Sequence, residues 1–226
     1  MIDALLLDFD GLLYDTEGAE YQAWNGLYAR YGLQLDLGLF VRESIGRPPG
    51  ASGFDPALHL QQLVGGELDL AALRTAYEED KRERLPHRLM PGAVQLLDAA
   101  RARGLHTAIV TSNDSANVRR HLARAECTFR FDALISAEGD RERGKPYPAL
   151  YLEALTALGL GPAQAVALED SPHGIAAAKA AGLVCIAVPN VVTRGADGLQ
   201  AADRLLDSLE QVDLDDLPQA PQPTVR

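Results

Sequence analysis

Short runs of branched apolar residues recur along this chain, and a turn and a stretch of helical spacing follow most of them. The runs cover residues 2–7, 106–110, 133–135, 165–168 and 184–188. Apolar runs this short and continuous read as strands buried on both faces. Helical spacing occupies 92–103, 115–125, 147–158 and 174–181, and Gly104, Gly159 and Gly182 stand just past three of these stretches, where a glycine ends a helix at little steric cost. Strands alternating with helices predict an α/β chain built on a doubly wound parallel sheet. Such a sheet gathers its chemistry at the carboxyl ends of its strands, near the switch in strand order.

Residues 15–87 break the alternation. They hold helical stretches at 17–31, 58–63 and 69–84 but no convincing buried strand, and they are too long for a loop in a compact domain. The expected organisation is a core from 1–14 and 88–212 with a helical cap from 15–87. The cap is entered just after Tyr14 and left near Pro86 and Pro91, so two short connections allow a hinge. Residues 213–226 (DLDDLPQAPQPTVR) are acidic and then proline-rich, and read as a flexible tail.

Composition narrows the partners. A formal net charge of -11 over 226 residues argues against nucleic acid, whose binders carry basic patches. It leaves anionic small molecules open, because a bound metal and one or two lysines or arginines outweigh a global field locally. No apolar run approaches the roughly 18 to 20 residues that span a bilayer. The opening MIDALLLDFD has neither the basic n-region nor the small-residue cleavage site of a signal peptide. A cytoplasmic protein without a membrane partner is expected. Cys127 and Cys185 are isolated, show no metal-thiolate spacing, and are expected as free thiols.

Four strand ends carry the reactive side chains. The first run leads into Asp8-Phe9-Asp10-Gly11, two carboxylates two residues apart. If the strand continues, both point to one face, where they repel unless a divalent cation or a shared proton offsets them. Gly11 allows a sharp turn or a close backbone approach. The second run ends in Thr111-Ser112-Asn113, and near the third lies Gly144-Lys145-Pro146. The fourth ends in Glu169-Asp170 before a helix. Each has a plainer reading alone: a loop, a helix cap, a surface lysine, acids drawn to a helix N-terminus. Together at one sheet edge they form a set suited to phosphoryl transfer, with carboxylates for Mg²⁺, hydroxyl and backbone donors for an oxyanion, and one cation.

The ordered segments DFDGLLYDT, IVTSND, RGKPYPALY and ALEDSPHGIAAAKAAG resemble the haloacid dehalogenase-like (HAD) hydrolase superfamily. Within it they are most similar to the branch of β-phosphoglucomutase and small sugar-phosphate phosphatases. The resemblance spans nearly the whole chain and implies a Rossmann-like core with a cap that closes over the site. It implies that Asp8 attacks phosphorus to form an aspartyl-phosphate and that Asp10 is the general acid and base. Thr111, with backbone donors around Ser112 and Asn113, would hold the phosphoryl group, and Lys145 would neutralise charge. Mg²⁺ would be bound by Asp8, the Asp10 backbone carbonyl, Asp170 and Glu169, the last directly or through water. Gly11, Gly46 and Arg47 complete the implied substrate contacts.

The acceptor then decides the reaction: water makes a phosphatase, a bound sugar hydroxyl a mutase. Mutases of this branch carry a histidine where this chain has Glu20. They also carry a cap arginine where Ser44-Ile45-Gly46-Arg47-Pro48-Pro49 puts prolines beside Arg47. Both departures favour a phosphatase acting on a small phosphorylated metabolite. Asp10 argues against haloacid dehalogenation, and Lys81 is the one cap lysine a phosphonate-cleaving Schiff base would need. A receiver domain groups similar residues but is shorter and lacks the insert; a silent HAD-fold module would be expected to have lost Asp8 or Asp10. His173, at a helix start, is a minor candidate base, while Arg101, Arg103, Arg119 and Arg120 read as exposed helix faces. The cap residues Arg47, His59, His87 and Arg88 are too scattered to identify the ester. A monomer is expected, since the cap must move.

Overall fold

Alternate residues of the first strand, β1 (Ala4–Leu7), enter different cores, as a period of two requires. In the computed structural model, which describes residues 2–45 and 53–218, β1 lies inside a six-stranded parallel sheet. The other strands are β2 (His106–Thr111), β3 (Ala133–Ser136), β4 (Ala165–Glu169), β5 (Val184–Ala187) and β6 (Arg204–Leu205), in the order β3-β2-β1-β4-β5-β6. Leu7 stands opposite both Ile109 and Leu168, so three central strands end nearly level. The order reverses between β1 and β4, and the loops leaving these two strands flank the crevice where α/β sheets bind ligands. The two-residue β6 is too short to have shown any periodicity.

Helices cover both faces. Leu5 and Leu7 pack with α5 (Ala93–Ala102) and α6 (Ser115–Arg124), through Leu96, Leu97 and Val118. Ala4 and Leu6 pack with α7 (Ala149–Leu158) and α8 (Pro172–Ala180), through Leu150, Ala154 and Ile175. Between β1 and α5 the described residues form four helices: α1 (Thr16–Ala29), α2 (Leu37–Ser44), α3 (Pro56–Val64) and α4 (Leu70–Arg84). Each starts on an aspartate, Asp15, Asp36, Asp55 or Asp69, whose carboxylate accepts a first-turn N–H. A cap of this kind contributes about 1 kcal/mol. These helices enclose a third core around Leu27, Tyr28, Phe40 and Leu60, and Trp24 of α1 stacks on Tyr77 of α4 at 4.3 Å. The sequence pattern indicated α1, α3 and α4 but not α2, which buries only Phe40 and Val41.

Residues 213–218 depart from the expected flexible tail. Leu214 and Leu217 pack against the core, Asp215 pairs with Arg103 at 2.8 Å, and Asp216 pairs with Arg204 at 3.2 Å. Acidic composition concealed two leucines that cover apolar surface. Residues 219–226 of that segment lie outside the described residues. Cys127 and Cys185 are both free, and among the described residues no helix is long and apolar enough to cross a membrane.

Gly92 begins α5 with φ of 83°, and a Cβ there would meet the Leu209 carbonyl carbon at 2.7 Å. Backbone on the far side cannot yield, so Gly92→Ala is expected to cost about 2 to 3 kcal/mol in urea unfolding. Gly104, with φ of 71° and nothing within 4 Å of the same position, is the control: Gly104→Ala should cost about 1 kcal/mol.

Candidate active site

The N–H of Asp8 still bonds the Leu168 carbonyl at 3.0 Å, so the ladder of β1 carries this residue to the switch point before the backbone turns. The turn closes through Gly11, at φ of 82°, with the N–H groups of Leu13 and Tyr14 returning to the Phe9 carbonyl. Asp8 and Asp10 therefore acquire different neighbours. Asp8 is buried, and its Oδ1 lies 2.5 Å from the Lys145 ammonium. The same ammonium lies 2.7 Å from Glu169 Oε1, which also accepts from the Tyr151 hydroxyl. Asp10 instead accepts from Thr16 Oγ1 at 2.8 Å, Asn113 Nδ2 at 3.0 Å and Thr111 Oγ1 at 3.0 Å. Ser112 Oγ accepts from the Lys145 N–H at 3.0 Å and so fixes the lysine's loop.

Asp170 is fully buried, and its Oδ2 accepts from Asn190 Nδ2 at 2.8 Å. The Asn190 amide also reaches Glu17 Oε2 at 2.8 Å and the Gly11 carbonyl at 3.2 Å. Glu17, in the first turn of α1, is linked to Asp170 through the Asn190 amide, and burial raises the pKa of both carboxyl groups. Gly11 has to be glycine here, because a Cβ would meet Asn190 Nδ2 and Glu17 Oε2 at 2.5 Å. Gly174 does the same service for Glu169: any Cβ in that turn of α8 would overlap the carboxylate.

Ligand oxygens of Asp8, Glu169 and Asp170 lie within 4.8 Å of one another. Glu169 Oε2 and Asp170 Oδ1 are buried without a hydrogen-bond partner, although the other oxygen of each is satisfied. Buried acceptors left open on adjacent carboxylates, with oxygen donors only, are what a hard divalent cation requires. Electrostatics agree. Burial raises the pKa of Asp8 against the opposing pull of Lys145, and raises Glu169 to about 7 against the same lysine. Glu17 and Asp170 lie well above the usual carboxylate range, mainly through burial. Burial disfavours the Lys145 charge, yet Asp8 and Glu169 outweigh it and hold its pKa above the ordinary value. The one ammonium meets two of these four buried carboxyl groups.

A cleft of about 690 Å³ opens above this floor, reached by Asp8, Asp10, Thr111, Ser112, Asn113 and Lys145, with Glu20, Trp24, Tyr77 and Lys81 on the opposite wall. The structure thus brings together Asp8, Asp10, Gly11, Thr111, Ser112, Asn113, Lys145, Glu169 and Asp170. Gly46 and Arg47 lie outside the described residues. Lys81 pairs with Glu20 at 3.4 Å and Glu78 at 3.6 Å. His59 bonds the Tyr28 hydroxyl at 2.8 Å within the cap, and His173 faces the Ile45 carbonyl at 3.0 Å. Sequence reasoning missed Thr16, Glu17, Tyr151 and Asn190. Asn190 follows the fifth strand, and comparing that strand end with the other four would have found it.

The model of the haloacid dehalogenase-like hydrolase family matches residues 2–182. The chain belongs to that family. Among relatives of this HAD-like hydrolase, protein CbbY of Rhodobacter capsulatus is 34% identical over 97% of this chain and 99% of its own. Validoxylamine A 7'-phosphate phosphatase of Streptomyces hygroscopicus subsp. limoneus is 32% identical over 94% and 96%. The crystal structure of CbbY from Rhodobacter sphaeroides in complex with xylulose-(1,5)bisphosphate superposes with a TM-score of 0.69, at 30% identity, over 93% of this chain and 96% of that one. The fold is that of the HAD hydrolases, a parallel-sheet core with a helical cap.

The raised carboxyl groups set a pH dependence. In EDTA the folded state holds more protons than the unfolded state between about 4.5, the ordinary glutamate value, and about 7 for Glu169. Stability is therefore present below that window and lost as pH rises through it. Asp55, Asp203 and Glu138, which are lowered, act in the opposite sense but below their ordinary values, outside the window. His121, lowered by burial, opposes the decline within it but is one group against the raised Asp8, Glu17, Glu20, Glu169 and Asp170. The thermal midpoint should fall from pH 4.5 to pH 7.5, and Glu17→Gln, which replaces a raised carboxyl by an amide, should flatten the decline. A midpoint that climbs with pH across this range would contradict the assignment.

Proposed function

We propose that this HAD-like hydrolase is a Mg²⁺-dependent phosphatase that cleaves a small phosphate monoester, a sugar phosphate or similar metabolite, through an aspartyl-phosphate on Asp8. The observation that carries the reading is the buried Lys145 ammonium joining Asp8 to Glu169 beneath the cleft, beside two open carboxylate oxygens. The named relatives support the substrate class, one being a phosphatase of a 7'-phosphate ester and another solved with a sugar bisphosphate.

Catalysis here is positioning and charge compensation. Lys145 opposes the effect of burial on Asp8 and holds the carboxylate beneath the cleft. An Asp8 oxygen attacks phosphorus as the ester P–O bond breaks, and Asp10 gives its proton to the departing alkoxide. Asp10 then takes a proton from water, the water oxygen attacks the same phosphorus, and the bond to Asp8 breaks to release inorganic phosphate. Thr16, Thr111 and Asn113 fix the Asp10 carboxylate for both transfers. Asp8, Glu169 and Asp170 would hold Mg²⁺ with the Asp10 backbone carbonyl, and the ion, when bound, neutralises charge on the phosphoryl oxygens. Glu20, an acid paired with Lys81, stands where a mutase would have histidine and supports water as acceptor.

Two measurements test this. A phosphate-ester panel with Mg²⁺ should release inorganic phosphate, β-glucose 1-phosphate should yield free phosphate rather than glucose 6-phosphate, and Asp8→Asn or EDTA should lower turnover about a thousandfold or more. Undiminished release by Asp8→Asn would sink the aspartyl-phosphate. Separately, Mg²⁺ should raise the thermal midpoint more at pH 7.5 than at pH 5, because the ion competes with protons for the same oxygens. A pH-independent shift would place the ion elsewhere.

A further inference from the structure

The two strands of chain that join cap to core meet a single core side chain. The outgoing strand carries Tyr14, whose hydroxyl donates to the Pro86 carbonyl of the returning strand at 2.5 Å. Arg124, in the last turn of α6, makes three contacts with the returning connection and one with the last turn of α4. Its Nε and Nη2 donate to the Leu85 carbonyl at 3.3 and 3.0 Å, and Nη2 also reaches the Arg82 carbonyl and His87 Nε2, each at 3.2 Å. A guanidinium has no acceptor, so His87 Nε2 must be accepting. The Arg124 charge also opposes the effect of burial on the Tyr14 hydroxyl. One turn earlier on α6, His121 stacks on the Tyr14 ring at 4.9 Å.

Leu85 is the C-cap of α4, and the carbonyls of Arg82 and Leu85 lie among those that a helix end leaves without intrahelical partners. Arg124 caps the cap domain's longest helix from the core, with its charge at the negative end of that helix's dipole. Among the described residues no carboxylate pairs with Arg124, and its Nε and Nη2 donate to the end of α4 and the returning connection. The opposite end of α6 belongs to the phosphate side of the site: Asn117 donates to Asn113, and Asn113 donates to Asp10. Ten residues of helix, about 15 Å, thus connect the Asp10 pocket to both hinge strands.

We propose that Arg124, which also lines the rim of the cleft, is the pivot that sets the closed position of the cap, a positioning residue that acts through α4. The proposal rests on the phosphatase reading for its kinetic consequence only. An alkyl or sugar phosphate needs the Asp10 proton and a dry, closed cleft, whereas p-nitrophenolate departs unprotonated and tolerates an open one. Arg124→Met should lower kcat/KM for sugar phosphates about 10- to 100-fold, the penalty of a misplaced cap, and change that for p-nitrophenyl phosphate less than about threefold.

Hydrogen exchange reads the pivot without turnover. Amides of residues 85–89 should exchange at least about tenfold faster in Arg124→Met than in the wild type, with the β-sheet unchanged. Millimolar guanidinium should restore both readouts, sodium chloride at equal strength should not, and Arg124→Lys should recover less because an ammonium cannot fork between carbonyls. Tyr14→Phe, which deletes one oxygen, should move both readouts the same way by a smaller factor and carries the test if Arg124→Met misfolds. Equal losses on both esters, or unaltered exchange at 85–89, would overturn the pivot. Wild-type protein inert toward every ester would remove the phosphatase reading and leave the exchange data to decide the pivot.

Discussion

A single ammonium sits at the point where the sheet reverses its winding, held between Asp8 at the end of β1 and Glu169 at the end of β4. Placing a charged lysine in the interior costs several kcal/mol unless carboxylates meet it, and those carboxylates bear the same penalty without it. The three residues come from distant parts of the chain, so they become mutually tolerable only when the sheet is assembled. Glu17 and Asp170, packed beside them, find no second lysine and must take up a proton or a cation. The site is therefore a place where the fold tolerates poor electrostatics, and the two open oxygens mark where ligand binding relieves it.

That arrangement also explains why the cap and the core are not independent. Glu17 belongs to the first turn of a cap helix, yet it accepts from Asn190 of the core, which also donates to Asp170. Thr16, its neighbour, holds Asp10. Any rotation of α1 is felt at the carboxylates, and any change of charge there is felt by α1. At the other connection Arg124 binds the end of α4. The cap is thus tied at one linker through the site and at the other through α6, which begins beside Thr111 and Asn113.

Much of this was legible in the amino-acid sequence because it is local. Five strands announce themselves as apolar runs, three helix ends as glycines, Asp8, Asp10, Glu169 and Asp170 by standing at strand ends in order, and Lys145 by its place in the motif that follows the third run. What escaped was either short or cooperative. The eight residues of α2 and the two of β6 have too little periodicity to register. Leu214 and Leu217 were masked by the acids around them, although the core covers both. Glu17 reads as a routine helix-start acid, and only the closure of Gly11 against it gives it a partner. Tyr151 reads as helix core, and its hydroxyl acquires meaning from a glutamate eighteen residues on.

Asn190 illustrates the limit most clearly. Its side chain carries five bonds: Nδ2 donates to Gly11, Glu17 and Asp170, and Oδ1 accepts from the N–H groups of Val192 and Thr193. No spacing in the sequence connects these segments, since two lie 173 and 179 residues away. An amide can direct two N–H groups toward acids while its carbonyl oxygen accepts from backbone, whereas a hydroxyl has a single proton to give. An aspartate there would add a fifth carboxyl group to a cluster that has one cation, and a leucine would leave three acceptors bare. Residue type at such a position is dictated by the charge state of its neighbours, which is a property of the assembled pocket and not of any one segment.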